Sequence, residues 1–404
     1  MNIIPPSAGR EARLVLVNRT LRAFADGYVA VILPLHLAVL GMGAVEIGVI
    51  ATATLFGSAL LNLAVGFAGS RYSQRGTLLA ASLLMVMTGI GFAWFDSFWP
   101  LLIIALIGTL NPSGGDVSVF LPLEQTILAQ SVAPAERTAL FARYSFLSSI
   151  MIAFGALGAG LVDAAALVVE LRTALTGMFL LYAAIGAAAF GVYWLMPPDH
   201  LSGTRRAHAP LGPSRGRVWR LAALFSVDAF GGGFIVNSLL ALWLYQRFDL
   251  SVSTAGTIFF VTGVCSAVSF FIAERLAARF GLINTMVFTH LPSSVLLILA
   301  AFAPDLWLAA ALLVVRALLS QMDVPTRASF VMAVVTPAER PAAASLTTVP
   351  RSLASSLAPA MSGAMLAATP FGWPLIIAGC IKIAYDLELL RQFARIKPPE
   401  EALP

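Results

Sequence analysis

The sequence predicts an all-α membrane protein of twelve transmembrane helices arranged as two pseudo-symmetric six-helix bundles. Three observations carry this. Hydrophobic residues make up 59% of the 404-residue chain and charged residues 11%, with a mean hydropathy of +0.88. That is about half the charge of an average soluble domain, too little to cover its surface with polar groups. Apolar runs near the roughly 20 residues that a spanning helix needs recur along the whole chain. The chain also repeats itself. Val132-Ala133-Pro134-Ala135-Glu136-Arg137 returns as Val335-Thr336-Pro337-Ala338-Glu339-Arg340, an offset of 203, and Asp26 falls on Asp228 at an offset of 202.

Taken in order, the spans begin with 15–40, which holds Asp26 and His36, followed by 45–69 and 76–95. The fourth, 98–128, is interrupted by Asn111-Pro112-Ser113-Gly114-Gly115 just before Asp116 and carries Glu124 toward its end. The fifth, 138–162, holds Arg143 and the glycines Gly155, Gly158 and Gly160, which suit close helix packing. The sixth is 172–195. The second set runs 217–245, 252–273, 281–303, 305–332, 342–367 and 371–390. Its first member contains Asp228, Gly231-Gly232-Gly233 and Asn237, and its fourth contains Arg316, Asp323 and Arg327. The predicted organisation is therefore a bundle over 1–196, a linker over 197–216 and a bundle over 217–404. The linker, rich in proline, glycine and arginine, has little to bury and reads as a cytoplasmic connector. Its His200 and His208 read as solvated side chains, since no partner is spaced to complete a metal site.

Basic residues fix the orientation. With both termini in the cytoplasm, the inner loops receive Arg10, Arg13, Arg71, Arg75, Arg137, the linker arginines, Arg275, Arg279, Arg340 and Lys397, and the outer loops only Arg172 and Arg247. All seven tryptophans, Trp243 among them, fall near predicted span ends, where interfacial anchors belong. Cys265 and Cys380 lie in apolar runs and read as small buried hydrophobes without a metal or disulfide pattern. The N-terminus lacks a cleavable signal pattern, so the first span is expected to remain in the membrane. Basic residues are scattered rather than clustered, which argues against a nucleic-acid partner.

Six spans, a basic linker and six more resemble the major facilitator superfamily, and the resemblance covers essentially the whole chain. Its most specific local element is the loop after the second span, Gly66-Phe67-Ala68-Gly69-Ser70-Arg71-Tyr72-Ser73-Gln74-Arg75-Gly76. Gly66, Arg71 and Arg75 match the family pattern, whereas Ser70 stands at its acidic position and Ser73 at its second glycine. The loop over 274–281 is a looser second copy. The resemblance implies that Arg71 and Arg75 help latch the cytoplasmic side, and losing the acid at Ser70 moves that latch to other partners. It also implies that the first, fourth, seventh and tenth spans line a central cavity.

An ionisable group at mid-bilayer costs several kcal/mol unless it faces water or a partner, so it marks a pathway. Asp26, Asp116, Asp228 and Asp323 fall on those four spans. Asp116 and Asp228 adjoin helix breaks, which expose backbone groups that only protein or a wet cavity can satisfy. Asn237, Arg316 and His36 complete the candidate substrate and proton site, with His36 as a relay. Arg71, Arg75, Glu124 and Arg143 are the candidate gates, the last two as a pair. Asp323 and Arg327 are spaced i, i+4, as are Lys382 and Asp386, so both are expected to pair along their helices. The repeated Pro-Ala-Glu-Arg reads as a helix-start signal without chemistry of its own.

The function expected is secondary active transport by alternating access: proton-coupled export of a cationic or amphiphilic small molecule. Alternatives are a metal ion or complex held by Asp26, Asp116 and Asp228, or an organic anion anchored by Arg316. No cofactor, no enzymatic centre and a monomer in a bacterial inner membrane are expected. The fate of Arg316 discriminates: pairing with Asp323 argues against the anion, and a free guanidinium on the cavity argues for it.

Overall fold

A computed structural model describes residues 9–68, 73–113, 118–132, 137–197, 212–336 and 339–394. Arg71, Asp116, His200, His208 and Glu136 lie outside the described residues. The rest forms α1 (Arg10–Val39), α2 (Ala44–Ala68), α3 (Gln74–Trp94), α4 (Phe98–Ile107), α5 (Phe120–Gln130), α6 (Arg137–Gly158), α7 (Leu161–Ala165) and α8 (Leu171–Trp194). There follow α9 (Arg215–Gly233), α10 (Asn237–Phe248), α11 (Val252–Phe280), α12 (Leu282–Ala301), α13 (Leu306–Ser320), α14 (Asp323–Ala333), α15 (Arg340–Ala368) and α16 (Trp373–Phe393). Among the described residues these group into twelve spans. Spans 4, 5, 7 and 10 are the broken units α4/α5, α6/α7, α9/α10 and α13/α14. Nine of the twelve are long and apolar enough to cross a bilayer outright. The fourth is divided into two short helices, and α15 and α16 carry polar groups inward.

Local chemistry explains the boundaries. Ser73, Ser251 and Asp305 each cap a helix by accepting the backbone N–H three residues on, from Gly76 at 2.9 Å, Thr254 at 3.2 Å and Leu308 at 3.0 Å. Ser73 therefore serves as a cap where the family pattern has glycine. The break in span 7 follows Gly231-Gly232-Gly233, as its sequence predicts. The break at 321–322 is not predicted. Its cause is Pro325, which has no N–H for the Gln321 carbonyl and so is tolerated only in a first helical turn.

Exposed apolar side chains clothe the bundle, including Leu167 at 87% and Trp94 and Trp307 at 79%. Surface of this kind belongs in lipid rather than water. Trp243 departs from the anchor pattern. It is buried and packs edge-on to Phe248 at 5.7 Å, because its helix faces the interior of the bundle. Cys265 is half-buried and Cys380 exposed, so neither is the fully buried hydrophobe expected.

Within the first half α1 packs on α6 and α8; within the second α9 packs on α15 and α16. Across the halves α2 packs on α15 and α6 on α11. Helix backbones meet closely at both kinds of seam. A Cβ on Gly155 would stand 2.0 Å from the Phe24 carbonyl oxygen, and one on Gly363 would stand 2.4 Å from that of Ala44. Both positions therefore require glycine. The halves join at the end away from the chain termini: α10 meets α1 and α2, α7 meets α11, and Tyr245 donates to the Val31 carbonyl at 3.2 Å. At the opposite end, the neighbouring half-helices α5 and α14 form no comparable packing across the halves among the described residues.

Candidate functional site

Between the halves lies a cavity of about 560 Å³, within the range of small-molecule sites. Its floor is set by broken helices. The Ser238 N–H, at the start of α10, donates to the Pro112 carbonyl at 3.0 Å. The interruption of span 7 thus satisfies backbone released by the interruption of span 4. Asn111 Oδ1 accepts from the Ser113 N–H at 3.1 Å and from its hydroxyl at 2.7 Å. Asn237 stands beside this junction and lines the cavity. The two breaks read from sequence meet here.

The second half supplies a buried ion network on the cavity wall. Asp228 Oδ1 holds Lys382 Nζ at 2.7 Å, and Oδ2 holds Arg327 Nη1 at 3.1 Å. The same guanidinium nitrogen lies 3.0 Å from Asp323 Oδ2, the pair anticipated one turn apart. His290 Nδ1 is 3.0 Å from both Asp386 oxygens, while its Nε2 is 3.7 Å from Asp228 Oδ1. The basic partners of Asp228 come not from its own helix but from α14 and α16. Lys382 pairs with Asp228 rather than with Asp386, whose two oxygens are held by His290 Nδ1.

Two further guanidinium groups, Arg316 on α13 and Arg351 on α15, line the same cavity. Among the described residues neither forms an ion pair, and the Nε of each, sealed from solvent, has no hydrogen-bond partner. Arg316 does not pair with Asp323, which Arg327 holds, and the helix breaks between the two. From the first half Arg19 reaches the cavity and donates to the Ser148 hydroxyl. Among the described residues, the lining thus sets Arg19, Arg316, Arg327, Arg351 and Lys382 against the carboxylates Asp228 and Asp323. Apolar wall is supplied by Val31, Ile152, Leu240, Phe259 and Leu313.

The other expected site residues divide differently. Asp26 is buried on α1 and does not line the cavity. His36 also lies away from it, with Nε2 3.0 Å from the Phe92 carbonyl and its ring 4.5 Å from that of Phe179. It therefore serves packing within the first half rather than a relay into the cavity. Glu124 does not pair with Arg143. It takes Arg22 Nη2 at 2.6 Å, the Tyr144 hydroxyl at 2.5 Å and the Tyr193 hydroxyl. Arg22 also lies 3.8 Å over the Phe120 ring. Arg75 donates to the Trp194 carbonyl at 2.7 Å and sits over that ring, a contact within its own half. Sequence reasoning missed His290, Arg351, Lys382 and Arg19 as cavity residues. Arg351 and Lys382 were legible as charges inside apolar runs.

The broken-helix, two-half architecture around a central polar cavity defines a membrane transporter of the alternating-access kind. The family model of the Major Facilitator Superfamily matches residues 15–231 and 221–403. The chain belongs to this superfamily and is a multi-pass secondary transporter, not an enzyme. It is 23% identical over 430 residues to an uncharacterized membrane protein of Saccharomyces cerevisiae, covering 96% of this chain and 94% of that protein. The nucleoside transporter NupG has a similar structure, with a TM-score of 0.74 at 14% identity over 95% of this chain and 99% of that one. So has the xylose transporter XylE from E. coli, at 0.72 and 16% over 96% and 98%. The human organic anion transporter MFSD10 gives 0.67 and 17% over 96% and 100%. At these identities the likeness is one of fold.

Proposed function

We propose that the chain transports organic anions, with its central cavity opening alternately to either side of the membrane. The observation that carries this reading is the pair Arg316 and Arg351, two guanidinium groups on the cavity wall with no carboxylate partner among the described residues. Both are half-buried and face the cavity, so their positive charge is uncompensated there, and an arriving anion offsets it. Guanidinium also matches carboxylate, sulfonate and phosphate by paired hydrogen bonds. The apolar wall favours a cargo with a hydrocarbon or aromatic body.

A cationic cargo needs free carboxylates. Asp116 lies outside the described residues; among those described, Asp228 and Asp323 are already occupied by Lys382 and Arg327, and Asp26 lies off the wall. The metal reading meets the same difficulty. With the arginine-rich ends in the cytoplasm, the packing described above corresponds to an inward-open state.

The test is uptake into proteoliposomes of tritiated p-toluenesulfonate, which stays ionised throughout, against tetraphenylphosphonium as the cation. Sulfonate uptake is expected. Arg316→Ala and Arg351→Ala should each weaken it by about tenfold, the value of one charge-assisted hydrogen bond. Their thermal stability should be unchanged or higher, since each removes a cavity charge that has no carboxylate partner among the described residues. Uptake of the phosphonium alone would overturn the reading.

A further inference from the structure

His290 sits between two carboxylates that treat its two nitrogens unequally. A carboxylate only accepts hydrogen bonds, and the Asp386 oxygens straddle Nδ1 at 3.0 Å each. Nδ1 must therefore carry the hydrogen. In neutral imidazole that leaves a lone pair on Nε2, facing another lone pair on Asp228 Oδ1. Their separation of 3.7 Å fits two acceptors with nothing between them. Oδ1 is also the oxygen that Lys382 Nζ holds at 2.7 Å. A proton added to Nε2 converts the repulsive contact into a charged hydrogen bond and sets imidazolium against Lys382 for the same acceptor.

We propose that His290 is the proton-carrying residue of the transport cycle, and that its protonation transfers Lys382 from Asp228 to the anionic substrate. This rests on the anion reading. The proton comes from bulk water on one side, occupies the Nε2 lone pair and leaves to water on the other, so no bond other than N–H is made or broken. His290 and Lys382 both line the cavity, so each can reach water and cargo.

The charges facing His290 determine the order of binding. From α16 come Asp386, Lys382 and the Tyr385 ring at 6.1 Å; from α9, Asp228; from α14, Asp323 and Arg327. Arg316 on α13 and Arg351 on α15 share the cavity wall, to which α11 adds Thr262 and Ser266 and no charge. Among the described residues cations outnumber carboxylates in this lining, and a bound anion offsets that excess. By reciprocity, a proton that favours the anion must itself be favoured by it, to the same factor. A monoanion and a proton then cross together, with the halves closing over a site to which they add no net charge.

Binding and flux of tritiated p-toluenesulfonate in proteoliposomes of the full chain test this, because the sulfonate does not titrate and any pH dependence belongs to the protein. Wild-type affinity should rise about tenfold between about pH 8 and pH 5, across the histidine range, within the usual size of site–site coupling. An imposed pH gradient should drive accumulation, with protons entering alongside the anion by an internal dye. His290→Gln should lose both the pH dependence and gradient-driven accumulation. Asp386→Asn, which removes the carboxylate that favours imidazolium, should move the affinity rise to lower pH, and it carries the test if the glutamine variant fails to fold. Wild-type pH dependence in His290→Gln or an unmoved profile in Asp386→Asn overturns the proposal. Sulfonate binding that is sensitive to Arg316→Ala yet independent of pH sinks this inference and leaves the anion reading standing. No sulfonate binding at any pH removes both.

Discussion

In the first half Arg22 and Glu124 join spans 1 and 4; in the second Asp228 and Arg327 join spans 7 and 10, with the signs reversed. The positions correspond through the repeat, since Glu124 aligns with Arg327 and Asp26, one turn beyond Arg22, with Asp228. Their surroundings do not. Arg22 and Glu124 are 2% and 0% exposed, closed in by Phe120, Tyr144 and Tyr193, and off the cavity wall. Asp228 and Arg327, at 3% and 7% exposed, are also buried but line the cavity with Lys382 and His290. Duplication supplied one bracket per half. Aromatic packing sealed the first into a structural clamp, whereas the second lines the cavity, where the proposed exchange of partners would take place.

The strongest way to break this comparison is to remove a charge from the sealed clamp. Glu124→Ala strands Arg22 in an apolar site and should lower stability by about 3–5 kcal/mol, read as a fall in the melting temperature of the purified protein. A stable variant that has lost only transport would place Glu124 in the cycle and end the distinction. A smaller effect is expected on the open side. Asp228→Asn and Lys382→Met should each impair transport, and the double variant should lose less than the two together. The coupling should lie in the range of about 0.5–3 kcal/mol for contacting groups. Strict additivity in flux would mean that the two do not act as a unit.

The smallest effect concerns the repeated phrase. Glu339 Oε1 accepts the backbone N–H groups of Gly212 at 2.6 Å and Ser214 at 3.4 Å, and Oε2 accepts the Thr336 hydroxyl at 2.7 Å. The second copy of the phrase therefore anchors the end of the linker to the start of α15, more than a helix-start signal. Hydrogen bonds from Thr336 and Ser214 hold this carboxyl down to about 2. A depressed acid stabilises the fold above its ordinary range, and that contribution fades as pH falls from about 4 toward 2. Glu339→Gln should speed amide exchange at Gly212 and Ser214 at neutral pH and leave the core protected; unchanged exchange would count against the anchor.

Much of the molecule was legible before folding. Lipid as solvent, the span pattern, the two-half plan and the breaks at Asn111-Pro112 and Gly231-Gly232-Gly233 follow from composition and from residues that cannot continue a helix. The Asp323–Arg327 pair followed from helical spacing. The same rule failed for Lys382 and Asp386, which look elsewhere for partners; the sequence left open whether Arg316 pairs with Asp323, and the break at 321–322 lies between them.

Length, apolarity and helix interruption act over a turn or two of chain, so the sequence by itself determined that this is a two-half, all-α membrane protein with charges on its inner helices. Which charge meets which was decided only when helices from distant parts of the chain packed together. Asp228 and Lys382 stand 154 residues apart, and His290 and Asp386 stand 96 apart. In a low-dielectric interior a carboxylate takes whatever donors the packed helices bring within reach. That choice left Arg316 and Arg351 facing the cavity without a carboxylate partner among the described residues, the observation on which the proposed anion cargo rests.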